Sequence, residues 1–331
     1  MTSLATIWAE ARRNPVMPAV WALAAGLVAY VFVTGGYLIA VLHFAAIYVV
    51  FVTGLNIFMG FAGQVSFGHN AFAAISGYTS AVLTATYGWA PLPAAALGIA
   101  AALICALLVG YPTLRLRGHY LAMATLAFGL IAYEVAVQWQ SVTQGYMGIS
   151  GIPPLGVGKF TVTSDRAILA WLMAFALIGV LAAAGIRRSR LGRAFVAIAG
   201  SEDAARALGI DVFAEKVKIL TLSGALCAAG GTFYAQRYLY IDPTIAFGVD
   251  KSVEMLLVTM VGGAGTVFGP LIGAAALTGI NEITRALATV IPALKNVQPL
   301  SLVVYGVMLV IIVARLPDGL AGLFKKTARH A

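Results

Sequence analysis

The sequence predicts an all-α bundle of about ten membrane-spanning helices, on three observations. Of 331 residues, 61% are hydrophobic and only 10% charged, against about 25% charged in soluble domains. The apolar residues run in long blocks rather than at a helical or strand period, which excludes a weakly amphipathic soluble fold. The basic residues gather between the blocks, as the positive-inside rule expects of cytoplasmic loops. A chain so short of charge cannot clothe a water-facing surface, so lipid must be part of its solvent.

About 20 apolar residues cross the roughly 30 Å hydrocarbon core. Spans are predicted at 18–33, 37–58, 71–87, 91–111, 119–139, 167–186, 217–237, 252–261, 267–285 and 300–315. The third and eighth are short, and each reads as a re-entrant or broken helix as well as a span. Arg12 and Arg13 lead into the first block, which reads as an ordinary span and not as a cleavable signal. With ten spans, Arg12, Arg13, Arg115, Arg117, the 187–218 stretch and the basic C-terminal end share one side, which is therefore cytoplasmic with both termini. The whole chain reads as one membrane-spanning domain. The net charge of +9 follows from these loops and does not describe a nucleic-acid-binding face. Cys105 and Cys227 lie inside apolar blocks and read as buried thiols; no metal-ligand spacing accompanies them.

Residues 140–166 form a long outer loop rich in glycine, proline and threonine, which cannot be one continuous helix. Two readings fit it: a binding loop or a flexible external connection. Two glycine-rich breaks echo each other. One runs Gly60-Phe-Ala-Gly63-Gln-Val-Ser-Phe67-Gly68-His69, the other Gly262-Gly-Ala-Gly265-Thr-Val-Phe268-Gly269-Pro270. Broken spans that face each other are a common transporter device. A repeat and a chance likeness in a chain with 36 glycines both fit; the predicted sidedness suits a parallel repeat.

The 187–218 stretch is the one place where the chain turns polar between spans, with eleven charged residues including Arg187, Arg193, Glu202, Asp203, Arg206 and Lys216. Each would cost about 2.5–3.5 kcal/mol at a helix centre in the bilayer, so the stretch lies outside. Ser201 is placed to cap a short helix that has Glu202 and Asp203 in its first turn, and Gly209 is placed to end it. A further helix then runs from about Phe213 into the next span. A solvated loop and a grip for a partner protein both fit these residues.

Asp203-Ala204-Ala205-Arg206-Ala207-Leu208-Gly209 resembles the EAA-x3-G element of bacterial ABC importer permeases, with Asp in place of the usual Glu. Gly192-Arg193-Ala194-Phe195, Ala62-Gly63-Gln64-Val65-Ser66-Phe67-Gly68-His69, Arg115-Leu116-Arg117-Gly118, Thr125-Leu126-Ala127-Phe128-Gly129 and Gly262-Gly263-Ala264-Gly265-Thr266 are similar, in order, to the branched-chain amino-acid branch of LivM type. The chain departs from that family in two places. Leu130 stands where the family often has Glu, with Glu134 one turn later, and Thr143-Gln144-Gly145 replaces Thr-Gly-Gly, with Gly151-Ile152-Pro153 retained.

The resemblance implies a permease of an ATP-driven importer in the bacterial inner membrane. Its cargo would be branched-chain or other small apolar amino acids, with urea or short amides as the nearest alternative. Its partners would be two cytoplasmic ABC ATPases, a second homologous permease and an extracytoplasmic substrate-binding protein. Ser201, Glu202, Asp203, Ala204, Ala205 and Gly209 would form the ATPase-coupling element. The chain itself carries no nucleotide motif, since Gly156-Val157-Gly158-Lys159-Phe160 lacks the P-loop spacing and its Ser or Thr. It is therefore expected not to be an enzyme and to hold no cofactor, with ATP and magnesium on the partner ATPases. A stand-alone secondary transporter would need a coupling-ion site, and a channel a repeated selectivity motif; neither pattern stands out.

Polar residues within spans are costly. Asn56, Gln64, Ser66, His69, Asn70 and Glu134 are candidates to line a path for a small zwitterion, and interhelical hydrogen bonding also fits them. Glu254 near Lys251, and Glu282 near Arg285, read as local ion pairs.

Overall fold

In hydrocarbon every backbone group must be satisfied within its own segment, so the apolar blocks have to be helices. The computed structural model describes residues 30–157, 160–290 and 319–326, with 26, 306, 307 and 315 as isolated positions. The first and tenth predicted spans lie largely outside these residues. Helix α1 runs Tyr37–Asn56 and is extended by a π turn, Ile57–Phe61. Helix α2 runs His69–Ala81, with a π turn Val82–Thr86. Then follow α3 (Pro91–Thr113), with proline in its first turn, and α4 (His119–Gln138). Four helices among the described residues are long and apolar enough to cross a membrane: Tyr37–Phe61, Pro91–Thr113, His119–Gln138 and Asp165–Arg188.

The outer-loop stretch is broken, as its composition requires. It holds α5 (Gln140–Thr143), a 3-10 turn Gly145–Met147, β1 (Ile149–Ser150) and a small hairpin of β2 (Gly156–Val157) with β3 (Phe160–Thr161). Helix α6 (Asp165–Arg188) starts on a Ser164 cap and leads to α7 (Arg190–Gly200), α8 (Glu202–Ala207) and α9 (Val212–Tyr238). Strand β4 (Tyr240–Ile241) pairs antiparallel with β1, Ile149 opposite Ile241, so the 140–166 stretch is tied to the far end of α9. Then come α10 (Pro243–Phe247), α11 (Val249–Gly262), α12 (Gly269–Val290) and α13 (Gly319–Lys326).

Helix α9 is the central post, packed on α1, α2 and α3. Its sequence is too rich in small and charged residues to read as strongly apolar because its middle faces protein and not lipid. Gly231 lets α2 approach so closely that a Cβ there would sit 2.6 Å from the Ala73 backbone. Conversely, large apolar side chains on α3 (Ile104, Leu108), α4 (Met123, Ile131) and α6 (Leu177, Ile178) are exposed, a pattern that suits lipid or a partner helix and not water.

Two predicted spans differ in kind. Helix α11 has 14 residues, about 21 Å of rise, less than the hydrocarbon core. It folds back on α12 as a tight hairpin. A Cβ on Gly262 would lie 2.9 Å from the Gly273 backbone nitrogen, and one on Gly273 would lie 3.2 Å from the Val258 carbonyl carbon. The first glycine break follows directly on the π turn at the end of α1. The π turn extends α1 to 25 residues, about 37 Å and long enough to cross the core, and Gly63 (φ +66°) then turns the chain.

Candidate functional site

The charged stretch 187–218 folds as three caps and three helices. Ser189, Ser201 and Asp211 each accept a backbone N–H three residues on, from Gly192, Ala204 and Ala214. Gly209, at φ +81°, lets the chain leave α8, and the Ile210 N–H then reaches the Ala205 carbonyl at 3.1 Å. Ala205 is buried with Ile198 of α7 and Val212 of α9 in a small apolar cluster. Leu208, one turn on, is 78% exposed. Sequence reasoning missed α7. Its buried positions Gly192, Phe195 and Ile198 recur every third residue, but Arg190 and Arg193 between them read as part of a charge run.

Glu202 is the hub of this element. It pairs with Lys216, which is 2% exposed, and its other contacts are Arg117 Nε at 3.4 Å, Arg206 Nη2 at 3.5 Å and the Gln64 amide at 3.4 Å. Asp203 takes bonds from Arg206 at 2.8 Å and Arg117 at 3.2 Å. The short helix is thus pinned to α9, to the α3–α4 turn and to the first glycine break. Lys216 had been counted with the solvated loop charges; the structure buries it as the partner of Glu202.

The two glycine breaks touch. A Cβ on Gly60 would lie 2.8 Å from the Gly265 Cα. Asn56 clamps them: its Nδ2 donates to the Thr266 carbonyl and its Oδ1 accepts from the Gly265 N–H, both at 2.8 Å. Arg187 stacks over Phe61, 5.0 Å from the ring centre, and donates to the Gly265 carbonyl. Beyond the clamp, Gly63 lies against Ala199 of α7, 3.2 Å from where its Cβ would be. Both breaks therefore sit at the end of the bundle that carries 187–218.

The candidate path residues separate. Ser66 and His69 are buried in a directed chain. Ser223 Oγ donates to Leu220 O, so it accepts from His69 Nε2 at 3.0 Å, which leaves Nδ1 to accept from Ser66 Oγ at 2.7 Å. A neutral imidazole satisfies every member. Gln64 turns to Ala62 O and Glu202. Asn70 Nδ2 donates to the carbonyls of Phe247 (2.9 Å) and Gly248 (3.3 Å), and its buried Oδ1 has no partner among the described residues. Glu134 stands apart on an exposed face, bonded to Gln138 at 2.9 Å. The local pairs expected for the two other glutamates are present, Lys251–Glu254 at 2.7 Å and Arg285–Glu282 at 3.7 Å, and each has gained a tyrosine from α1, Tyr48 and Tyr37 respectively.

Residues 37–313 match the family described as the permease component of branched-chain amino acid transport systems. The chain is 32% identical over 300 residues to the high-affinity branched-chain amino acid transport system permease protein LivM of Escherichia coli, covering 83% of this chain and 67% of that protein. The same figures hold for LivM of Salmonella typhimurium. The autoinducer 2 import system permease protein LsrC of Salmonella typhi is 28% identical over 233 residues, 62% of this chain and 66% of LsrC. No solved structure matches.

Proposed function

The chain belongs to the family of branched-chain amino acid transport permeases and is a permease subunit of an ABC importer, and from that premise we propose that its cargo is a branched-chain or other small apolar amino acid. It works in the inner membrane with two cytoplasmic ABC ATPases, a second homologous permease and an extracytoplasmic binding protein. The end of the bundle carrying 187–218 faces the cytoplasm, as do both termini. ATP and magnesium act on the ATPases, and the permease converts their motion into alternating access.

One observation carries the coupling role. Helix α8 presents exposed Leu208 while its other side is locked by buried Ala205 and by the Glu202–Lys216 pair. A rigid helix end with one apolar side chain outward is what a partner can grip and pull. Ser201, Glu202, Asp203, Ala204, Ala205 and Gly209 then build the grip, and Leu208 is its contact. Leu208→Glu should abolish co-purification of the ATPases and uptake of radiolabelled leucine, while the permease keeps its abundance and melting temperature. Normal ATPase association would remove α8 from the docking surface.

The path is proposed to reach its cytoplasmic mouth along the first break, residues 64–70. The break is supported on one side by Gln64–Glu202 and on the other by Asn70, which holds the α10–α11 junction. Asn56, Ser66 and His69 brace this mouth from within through the bonds described above. A pull on α8 reaches the break through Glu202 without a flexible intermediary.

A further inference from the structure

Where α1, α2, α9 and the α10–α11 segment meet, the structure holds a partly open cavity of about 80 Å³. A single water needs about 10–15 Å³ by the same measure, so roughly five to eight waters, or a small amino acid of similar heavy-atom count, would fit. Its walls are Phe44, Phe51, Tyr234, Phe247 and Met255, with Tyr48, Asn70 and Lys251 as the polar lining and Glu254 immediately behind Tyr48 and Lys251. Lys251 pairs with Glu254 at 2.7 Å, and Tyr48 O–H donates to the same carboxylate oxygen at 3.0 Å. Glu254 is buried and Tyr48 is 4% exposed, while the Lys251 side chain, in the first turn of α11, keeps 27% exposure and joins the cavity to its surroundings. An ion pair whose carboxylate is buried against an aromatic wall is expensive to keep and therefore a candidate for function. Asn70, 2% exposed, contributes a buried amide oxygen with no partner among the described residues.

We propose that this cavity is a binding station for a free amino acid with an aliphatic side chain, a proposal that rests on the amino-acid importer reading above. Lys251 takes the carboxylate, Glu254 takes the ammonium, and the aromatic wall takes the side chain. In the empty protein the two residues neutralise each other. A zwitterion enters as a matched dipole, exchanging one ion pair for two with no change in net charge. Tyr48 keeps the Glu254 carboxylate oriented during the exchange, and the Asn70 oxygen can accept from the ammonium.

The test uses the purified permease–ATPase complex without binding protein, titrated with radiolabelled L-leucine, beside uptake by the complete importer in vesicles. Saturable binding is expected, weakened about tenfold or more by Glu254→Gln and by Lys251→Gln. Phe51→Trp, which fills the cavity, should exclude leucine more than alanine. The double variant Lys251→Gln/Glu254→Gln removes both charges, so it should recover the stability lost by either single change and still not bind leucine. A purely structural pair predicts wild-type binding once both charges are gone, and that result would overturn the proposal. So would a wild-type complex that imports leucine yet binds none up to millimolar concentration. A complex that imports urea and not leucine would instead overturn the cargo assignment on which the station rests.

Discussion

Glu202 and Lys216 should respond asymmetrically to neutralisation. Lys216 is 2% exposed, whereas the Glu202 side chain keeps 15% and two further cations, Arg117 at 3.4 Å and Arg206 at 3.5 Å. Glu202→Gln strands an ammonium away from water, and breaking a buried pair in this way costs about 3–5 kcal/mol. Lys216→Met leaves Glu202 partnered and partly hydrated, and puts an apolar chain of similar length into an apolar site. Its cost should be about 1 kcal/mol. The gap of about 2–4 kcal/mol corresponds to roughly thirtyfold to nearly a thousandfold in the local unfolding equilibrium. Denaturant titration of the reconstituted complex would read it, with trypsin cleavage at Arg193 and Arg206 reporting opening of this element. The double variant should recover most of the Glu202→Gln loss, because no unpaired charge remains. Equal destabilisation by the two single changes, or strict additivity in the double, would refute the argument that Glu202 is held chiefly to compensate Lys216.

Other changes have equally direct readouts. Gly60→Ala places a methyl group 2.8 Å from the Gly265 Cα, so it should cost about 1–3 kcal/mol and lower the melting temperature; an unaltered melt would mean that the breaks do not pack as described. Single cysteines at Ser150 and Arg193, in a background lacking Cys105 and Cys227, should react with an impermeant thiol reagent from opposite sides of the membrane, and labelling of both from outside intact cells would overturn the assigned sidedness. Gln64→Leu cuts the break from Glu202 and should reduce uptake per folded complex while ATPase association persists; unchanged uptake would remove the break from the transmission route. Ser66→Leu cannot fit the buried His69–Ser223 chain and should lower abundance instead of turnover, which pulse labelling would separate.

A pull on α8 has few ways to dissipate. The helix has six residues, and its acidic first turn is bonded in three directions, to α9 through Lys216, to the α3–α4 turn through Arg117, and to the first break through Gln64. The first break is in turn sutured to the second by Asn56, and Arg187 at the base of α6 holds the second by its backbone. Rigid short connections of this kind transmit displacement because packed elements shift between discrete arrangements and do not deform smoothly. The element best placed to yield is the α11–α12 hairpin, whose turn the suture grips and whose α11 carries Lys251 and Glu254. Movement at the ATPase end is thereby linked to the proposed cargo station by one helix of 14 residues.

How far the sequence disclosed this depends on how local each feature is. The Ser201 cap, the acidic first turn and the positive-φ Gly209 are decided by neighbours within ten residues, and α8 formed where they predicted. The apolar blocks were legible for the same reason, since insertion depends on the composition of each segment taken alone. Helix α9 was legible as a span at 217–237 too, but not as the central post, because its small residues suit close contact with Ala73 and other backbones only once α2 is packed there. Lys216 could not be separated from its basic neighbours, because the positive-inside rule counts charges and says nothing about which one α8 will cover. The π turn Ile57–Phe61, which carries α1 three residues past the predicted end of its span, has no side-chain pattern that announces it. The cavity had no local signature at all. Asn70 stood out as a polar residue in a span and Lys251 as a local partner of Glu254, but their meeting with Phe44 and Tyr234 arises only because α1, α2, α9 and α11 come together there.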